Sequence, residues 1–335
     1  MLEFNLLKYV DLPHYPPLTQ VVDDKDPYAN DPKRHPGLTY HNRKPANAEL
    51  PPSLIMDNWI TPSELFFIRH HHPVPAINNP EFELDVDGKG VKPIMLTLKD
   101  LRERFPKASV TTTIQCGGNR GNEFNYDDAH KTSGIGWGYG AISNSTFSGV
   151  PLRDVLMYSG LLTPGRAREI GVKHVQFKGV DGVMASIPIE KALSPYGDVL
   201  LAYEMNGELL QPEHGGPLRI IVPGHVGIRN IKWVRRVTTS DEEAEGYWQR
   251  GAAYKGFAPG IKSFDGIDIS KIPSVQEQPV TSAIVEPQGG DKIEPGELLN
   301  VKGFAWSGGG RGIVRVDVSA DGENWTTATL TDGAE

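Results

Sequence analysis

Cysteine is nearly absent: Cys116 is the only one in 335 residues, which excludes an internal disulfide and is compatible with a reducing compartment. Long apolar runs are missing as well. No stretch approaches the roughly 18 consecutive apolar residues of a membrane-spanning helix, so no membrane partner is expected. The first nine residues, Met-Leu-Glu-Phe-Asn-Leu-Leu-Lys-Tyr, read as neither a signal peptide nor an Arg-rich transit peptide. There is no G-x-G-x-x-G and no P-loop, so a nucleotide cofactor has no support. Positive charge is in the minority, with 34 Lys and Arg against 42 Asp and Glu and a net charge of −8. That balance argues against nucleic acid as a partner, while a local cationic pocket can still focus a small anion. What is present is ordinary for a globular chain. Hydrophobic residues make up 38%, ample for real cores, and the length suggests two or three domains.

The organising stretch is Thr-Thr-Thr-Ile-Gln-Cys-Gly-Gly-Asn-Arg-Gly, residues 111–121. The β-branched run from Val110 to Ile114 fits a pleated, half-buried strand. It stops at Cys116, and Gly117 and Gly118 then let the backbone turn tightly and approach a bound group without a Cβ in the way. Asn119 and Arg120 place an amide and a cation within a turn of the sulfur. A lone thiol in such a place suits a soft-metal ligand or a nucleophile, and the alternative is a buried thiol acting as a small hydrophobe.

Residues 1–60 carry prolines, Asp and Asn with little periodicity, and read as an extended arm laid over a domain. His35-Pro36-Gly37 is similar to the haem-binding turn of cytochrome b5 domains, but the helices and second histidine such a turn needs are missing, so no haem is assigned to this chain. The run Leu65 to Pro75 contains His70, His71 and His72, whose side chains alternate faces on an extended segment and so make a poor metal site. Glu81 to Val86 alternates like a strand. Thr97 with Asp100 looks like a capping box that opens a short helix to Phe105. Gly134 to Gly140 interleaves four glycines with Trp137 and Tyr139, which reads as a pocket wall or a packed loop. Val150 to Leu156 starts a helix around Pro151, and Gly160 stops it. Further strands are expected at His174–Val180, Val199–Met205, Leu218–Val222 and Ile231–Val237, with an Asn206-Gly207 hairpin and a glycine loop, Pro223–Gly227.

From about Pro279 the pattern becomes all-β, with strands at Leu298–Trp306, Ile313–Ser319 and Trp325–Leu330 and a turn at Asp321-Gly322. An immunoglobulin-like sandwich needs about seven strands over about 100 residues. Residues 279–335 number 57, room for about four, so that module is expected to be incomplete in this chain.

Several of these segments together resemble the sulfite oxidase family of molybdenum enzymes. They are Thr113 to Arg120, Leu200 to Gly207, His214 to Arg219, Ile231-Lys232-Trp233, Tyr254 to Phe257, and Ala305 to Arg311. The resemblance runs from about Arg34 to the end. It implies an α+β fold: a sulfite-oxidase-type molybdopterin-binding domain over residues 61–278, then an immunoglobulin-like dimerisation domain from 279. It also implies oxidation of sulfite to sulfate by oxygen-atom transfer at a molybdenum cofactor (Mo-molybdopterin), with the Cys116 thiolate as metal ligand. The cofactor would lie against Phe67, Ile68, Arg69, His70 and His71, with further contacts from Asp181, His214, Arg219, Asn230, Ile231 and Lys232. Arg69 would hold the oxyanion, Tyr254 would hydrogen-bond at the reacting oxygen, and Trp137 would wall the pocket. With no haem in the chain, electrons would pass to an external acceptor, cytochrome c or dioxygen. A homodimer through the C-terminal domain is implied, in the mitochondrial intermembrane space or the peroxisome.

Two departures from the family pattern stand out. Gly121 occupies the place of a second arginine, a loss that Lys131 or Arg153 would have to make good. His70 replaces an asparagine, which would retune the pocket's response to pH. A further arginine expected late in the family's last domain would fall beyond residue 335. The rival readings are a eukaryotic nitrate reductase molybdenum domain, a non-catalytic relative serving assembly, and a cysteine hydrolase, for which no base–orienter pair is evident.

Overall fold

In the computed structural model the described residues are 26–77, 79–125, 131–132, 134–161, 163–258, 260–261, 263–294, 296 and 298–331. Among them, three sheets build the body of the protein. A small antiparallel sheet joins Thr39–Arg43, Ala46–Glu49 and Ile68–Arg69. The second has Leu200–Met205 at its centre, flanked by Glu208–Leu209, Arg219–Ile221 and Ile142–Pro151, and the last of these pairs with Ala108–Gln115. The third runs Ile94–Thr97, Glu83–Gly88, Val234–Ser240, His174–Gly179, Met184–Pro188, with one parallel pair between Glu83–Gly88 and Val234–Ser240. The mixture of short helices with mostly antiparallel sheets, without a βαβ rhythm, is the α+β fold expected.

Local chemistry explains several elements. Thr97 and Asp100 form a reciprocal capping box at the start of helix Leu98–Arg104. Pro151 caps helix Leu152–Tyr158, and Gly160 ends that segment with φ +111°. Asn206 and Gly207, at φ 52° and 84°, make the tight turn between Leu200–Met205 and Glu208–Leu209.

Two stretches differ from expectation. The strand anticipated over residues 231–237 begins only at Val234 and continues to Ser240. Trp233 has φ 51°, outside the β region, and its N–H donates to Gly215 rather than to a strand partner. Ile231 to Trp233 are thereby released to line a cavity. Residues 26–60, expected as an arm, carry two strands, and all four residues of Ala46–Glu49 are buried.

The larger hydrophobic cluster packs the third sheet against the helices. A second cluster, around Phe66, Phe67, Ile114, Trp137 and Phe147, contains Cys116 at 5% exposure. The thiol thus sits where a core meets a cavity. Towards the C-terminus, Thr281–Glu286 pairs with Lys302–Trp306 and Asp317–Ser319 with Trp325–Thr327. These strands are shorter than the alternation suggested, and Leu298 and Val314 are fully or almost fully exposed. The Gly308-Gly309 backbone lies directly on that of Gly224, where a Cβ on Gly308 would come within 2.2 Å of a carbonyl oxygen.

Candidate active site

Strand Ala108–Gln115 pairs with Ile142–Pro151 along its whole length, and Cys116 follows immediately. Its N–H still bonds Ala141 at 2.9 Å, so the sulfur is held by sheet geometry rather than by a loose loop. The two glycines after it are required by crowding. A Cβ on Gly117 would stand 2.9 Å from Val226 and 3.1 Å from the ring of Tyr254, and one on Gly118 would stand 3.2 Å from Trp137. Cys-Gly-Gly therefore lets an aromatic approach the cysteine from each side.

The cation expected beside the sulfur is not Arg120. That residue adopts a left-handed conformation (φ 67°), which turns its side chain away to Glu123 at 2.7 Å and to the carbonyl of Ser282. Arg69 takes the place. Burial pushes the Cys116 thiol up, while the charge of Arg69 and the Gly118 N–H pull the other way. Burial also pushes the Tyr254 phenol well above the usual range, with Cys116 adding to the shift and the charge of Arg69 opposing it. Tyr254 is thus a donor across the working pH range. Arg69 is held from behind by the side-chain oxygen of Asn47 at 3.1 Å and by the carbonyl of His70.

An inner cavity opens beside this trio. Cys116, Arg69 and Tyr254 line it together with Phe67, His70 and His71. Asp181, Arg219, Asn230, Ile231 and Lys232, also expected, line it too. Three of the expected residues stand behind the wall instead. Ile68 is buried in the core of the small sheet, Trp137 packs edge-on against His41, and His214 bonds the carbonyl of Ser63 at 2.7 Å. The adjacent histidines diverge: His70 faces Trp233, whereas His71 and His72 flank Trp248.

The electrostatics of this cavity favour an anion. Arg219 is 4% exposed, donates one hydrogen bond to the carbonyl of His214, and leaves its Nε without a partner. Burial lowers its pKa to about 9. Lys232 is lowered to about 7, first by burial and then by the neighbouring Arg219. His71 is pushed down to about 3 by burial, then by Arg69, His72 and Lys232, and its Nε2 has no partner. Among the described residues the one carboxylate on the lining is Asp181, whose own pKa burial raises. Two crowded cations with an orphaned N–H fit the phosphate end of a pterin cofactor, since a planar guanidinium binds oxyanions through paired hydrogen bonds. The buried thiol suits the metal it carries.

Burial holds His70 at about 4, helped by Lys232. It is therefore neutral near pH 7, a buried member of a polar network rather than the pH-responsive group anticipated. Its Nε2 lies 3.0 Å from the Glu213 carboxylate and 2.9 Å from the Lys232 ammonium.

An outer cleft adjoins the inner cavity and shares Arg69 and His71 with it. Gly134, Ile135 and Gly136 form one side, so the glycine–aromatic stretch is a cleft wall. It is shaped by Glu49, whose carboxylate accepts from the N–H groups of Gly138 (3.0 Å) and Gly140 (3.1 Å) and pairs with His41 at 2.8 Å. A Cβ on Gly121 would meet nothing closer than the carbonyl of Ile135, at 3.5 Å. Neither Lys131 nor Arg153 lines either cavity, and Arg153 lies 3.4 Å from Asp154 on its own helix. Asn47, Glu49 and Glu213 escaped the sequence reading because their roles rest on contacts across the fold.

Comparison with known proteins bears on this geometry. The family described as Oxidoreductase molybdopterin binding domain matches residues 71–248, and that described as Mo-co oxidoreductase dimerisation domain matches residues 272–335. The chain is 48% identical over 315 residues to the sulfite oxidase of Gallus gallus, covering 92% of this chain and 67% of that protein. It is 45% identical over 323 residues to the mitochondrial sulfite oxidase of Homo sapiens, covering 94% of this chain but only 57% of the human one. A nitrate reductase of Phaseolus vulgaris stands further off at 34% identity over 311 residues, covering 86% of this chain and 34% of that protein. Among solved structures, the sulfane dehydrogenase SoxCD of Paracoccus pantotrophus superposes with a TM-score of 0.72 at 30% identity, over 98% of this chain and 77% of that one.

Proposed function

We propose, for a chain that belongs to the sulfite oxidase family of molybdopterin oxidoreductases, that it oxidises sulfite to sulfate and passes the electrons to an external acceptor. The observation that carries this reading is the convergence of Arg69, Cys116 and Tyr254 on the lining of the inner cavity, with Arg69 also lining the outer cleft. Sulfite plus water gives sulfate, two protons and two electrons. The cofactor, when bound, supplies the oxygen-atom transfer and holds the electrons until the acceptor takes them.

The chain's own residues do the rest. Cys116 would hold the metal as thiolate, having given up its proton, because the thiolate is the ligand form. Arg219 and Lys232 would hold the cofactor's anionic end, with Asp181, Asn230 and Ile231 on the same cavity lining. Sulfite comes in through the outer cleft, where Arg69 meets it with a guanidinium already aimed by Asn47 and His70. Its orienting cost is met in the folded protein. Tyr254 stays protonated and donates a hydrogen bond to an oxygen of the bound anion, and Trp137, behind Gly118, keeps that side closed.

The family match over residues 272–335 supports a dimerisation domain beginning near residue 279 and a homodimer formed through it. The name of the human relative supports a mitochondrial compartment over a peroxisome. Cytochrome c and dioxygen are both acceptable electron sinks for a centre at the edge of an open cleft.

The test is a paired assay on the molybdenum-loaded chain. Sulfite-dependent reduction of ferricyanide should be rapid, and nitrate reduction with a viologen donor should be slower by orders of magnitude. Nitrate turnover that matches or exceeds sulfite turnover would replace this reading with the nitrate reductase one.

A further inference from the structure

Two cations of the inner cavity, Arg219 and Lys232, are not hydrogen-bonded to a carboxylate on its lining. They are held by the carbonyls of one short 3-10 turn, Pro212–His214, just outside it. The carbonyl of Pro212 accepts from the Trp233 indole at 2.8 Å, that of Glu213 from Lys232 at 3.0 Å, and that of His214 from Arg219 at 3.0 Å. A helix end normally leaves such carbonyls to water or to a cap. Here all three serve as sockets for pocket side chains. The turn packs so closely that a Cβ on Gly215 would stand 3.0 Å from Lys232.

What fixes the turn comes from the other end of the sequence. The Nε of Arg34 donates to the Glu213 carboxylate at 3.0 Å, and its second nitrogen donates to Asp31 at 2.7 Å. Asp31 in turn accepts the N–H of Val74 at 3.1 Å. The side chains of Arg34, Asp31 and Glu213 are 11%, 7% and 7% exposed, so the links lie out of bulk water. Residues 31–34 therefore clamp the two walls of the cavity together: the segment around His70 on one side and the carbonyl turn on the other.

We infer that Arg34, with Asp31 and Glu213, is a positioning residue that sets where Lys232 and Arg219 stand and so governs how firmly the cofactor's anionic end is retained. It touches no reacting atom. The inference rests on the cofactor reading above and adds to it a role for the segment that precedes the catalytic body. Removing Arg34 strands the Glu213 carboxylate in a buried site with one partner fewer, which pulls the turn out of register.

The experiment uses the full chain loaded with molybdopterin. Pterin remaining per chain is followed during dialysis through its fluorescent oxidation product, alongside sulfite turnover per molybdenum and the urea midpoint of the cofactor-free chain. Arg34→Ala should lose pterin about tenfold faster, the scale on which outer-shell partners tune metal sites, with turnover per remaining molybdenum within about twofold of the parent. Arg34→Lys should recover most of the retention. If Arg34→Ala does not fold, Asp31→Asn, which keeps the shape and removes one charge, should show a smaller loss in the same direction. Retention equal to the parent in the folded variants, with only the urea midpoint lowered, would overturn the positioning role alone. A parent chain that carries no pterin would overturn the cofactor reading and this inference with it.

Discussion

Gly117→Ala tests the claim that the glycines beside Cys116 are there for close approach. The added methyl would lie 2.9 Å from Cγ2 of Val226, which is 1% exposed and has little room to retreat. It would also lie 3.1 Å from two carbons of the Tyr254 ring, whose residue is already held at φ 58°. Overpacking of this kind costs about 1–3 kcal/mol, and at about 2–4 °C per kcal/mol the melting temperature should fall by about 2–12 °C. Tyr254 is less buried than Val226, so its phenol should shift by a few tenths of an ångström away from the Cys116–Arg69 edge. A displacement of about 1 Å at a reacting site can cost about a hundredfold, so about tenfold in kcat per molybdenum is expected here. Calorimetry and molybdenum-normalised sulfite turnover read the two effects. Gly121→Ala is the internal control, because its Cβ meets only a carbonyl oxygen at 3.5 Å and should change neither quantity. If Gly117→Ala behaves like Gly121→Ala in both assays, the crowding argument is wrong.

Two further outcomes follow from the same geometry. Gly121→Arg should lower the KM for sulfite: a cation about 4 Å from the anion contributes on the order of 4 kcal/mol before desolvation, and a net fall of about tenfold is expected. A Cβ at position 121 meets only the carbonyl of Ile135, at 3.5 Å, so an unchanged KM would refute the idea that the cleft lacks positive charge. For stability, the folded-state pKa values of His70, His71 and His214 lie at about 4, 3 and 3, below the ordinary 6.5, in each case first because of burial. Between those values and 6.5 the unfolded chain binds more protons, so stability of the cofactor-free protein must rise with pH across that window. A urea midpoint at pH 5 equal to or above that at pH 7 would contradict the burial of these rings.

Much of the site was legible because local chemistry fixed it. A β-branched run followed by Cys-Gly-Gly reads as a strand end and a tight approach, and the structure supplies the two aromatics that need the space. Asn206-Gly207, Thr97 with Asp100, and Gly160 behave as their backbone preferences require. Adjacency in sequence misled at Arg120, whose left-handed backbone turns it outward, while Arg69, far away in the chain, provides the charge. Periodicity misled at Ile231 to Trp233, where one left-handed residue diverts an apolar run from a strand into a cavity wall. Asn47, Glu49, Arg34 and Glu213 carry no local signal at all. Glu49 orders a loop 89 residues away and Arg34 reaches a carboxylate 179 residues away, and such contacts exist only once the sheets have packed.

The most direct test of the central claim is sulfite turnover per molybdenum in the parent chain and in Cys116→Ser. The parent should bind molybdenum and reduce ferricyanide in a sulfite-dependent manner, whereas the serine variant, still folded and carrying pterin, should have lost that turnover. Undiminished turnover in Cys116→Ser would remove the thiol from the metal and contradict the account.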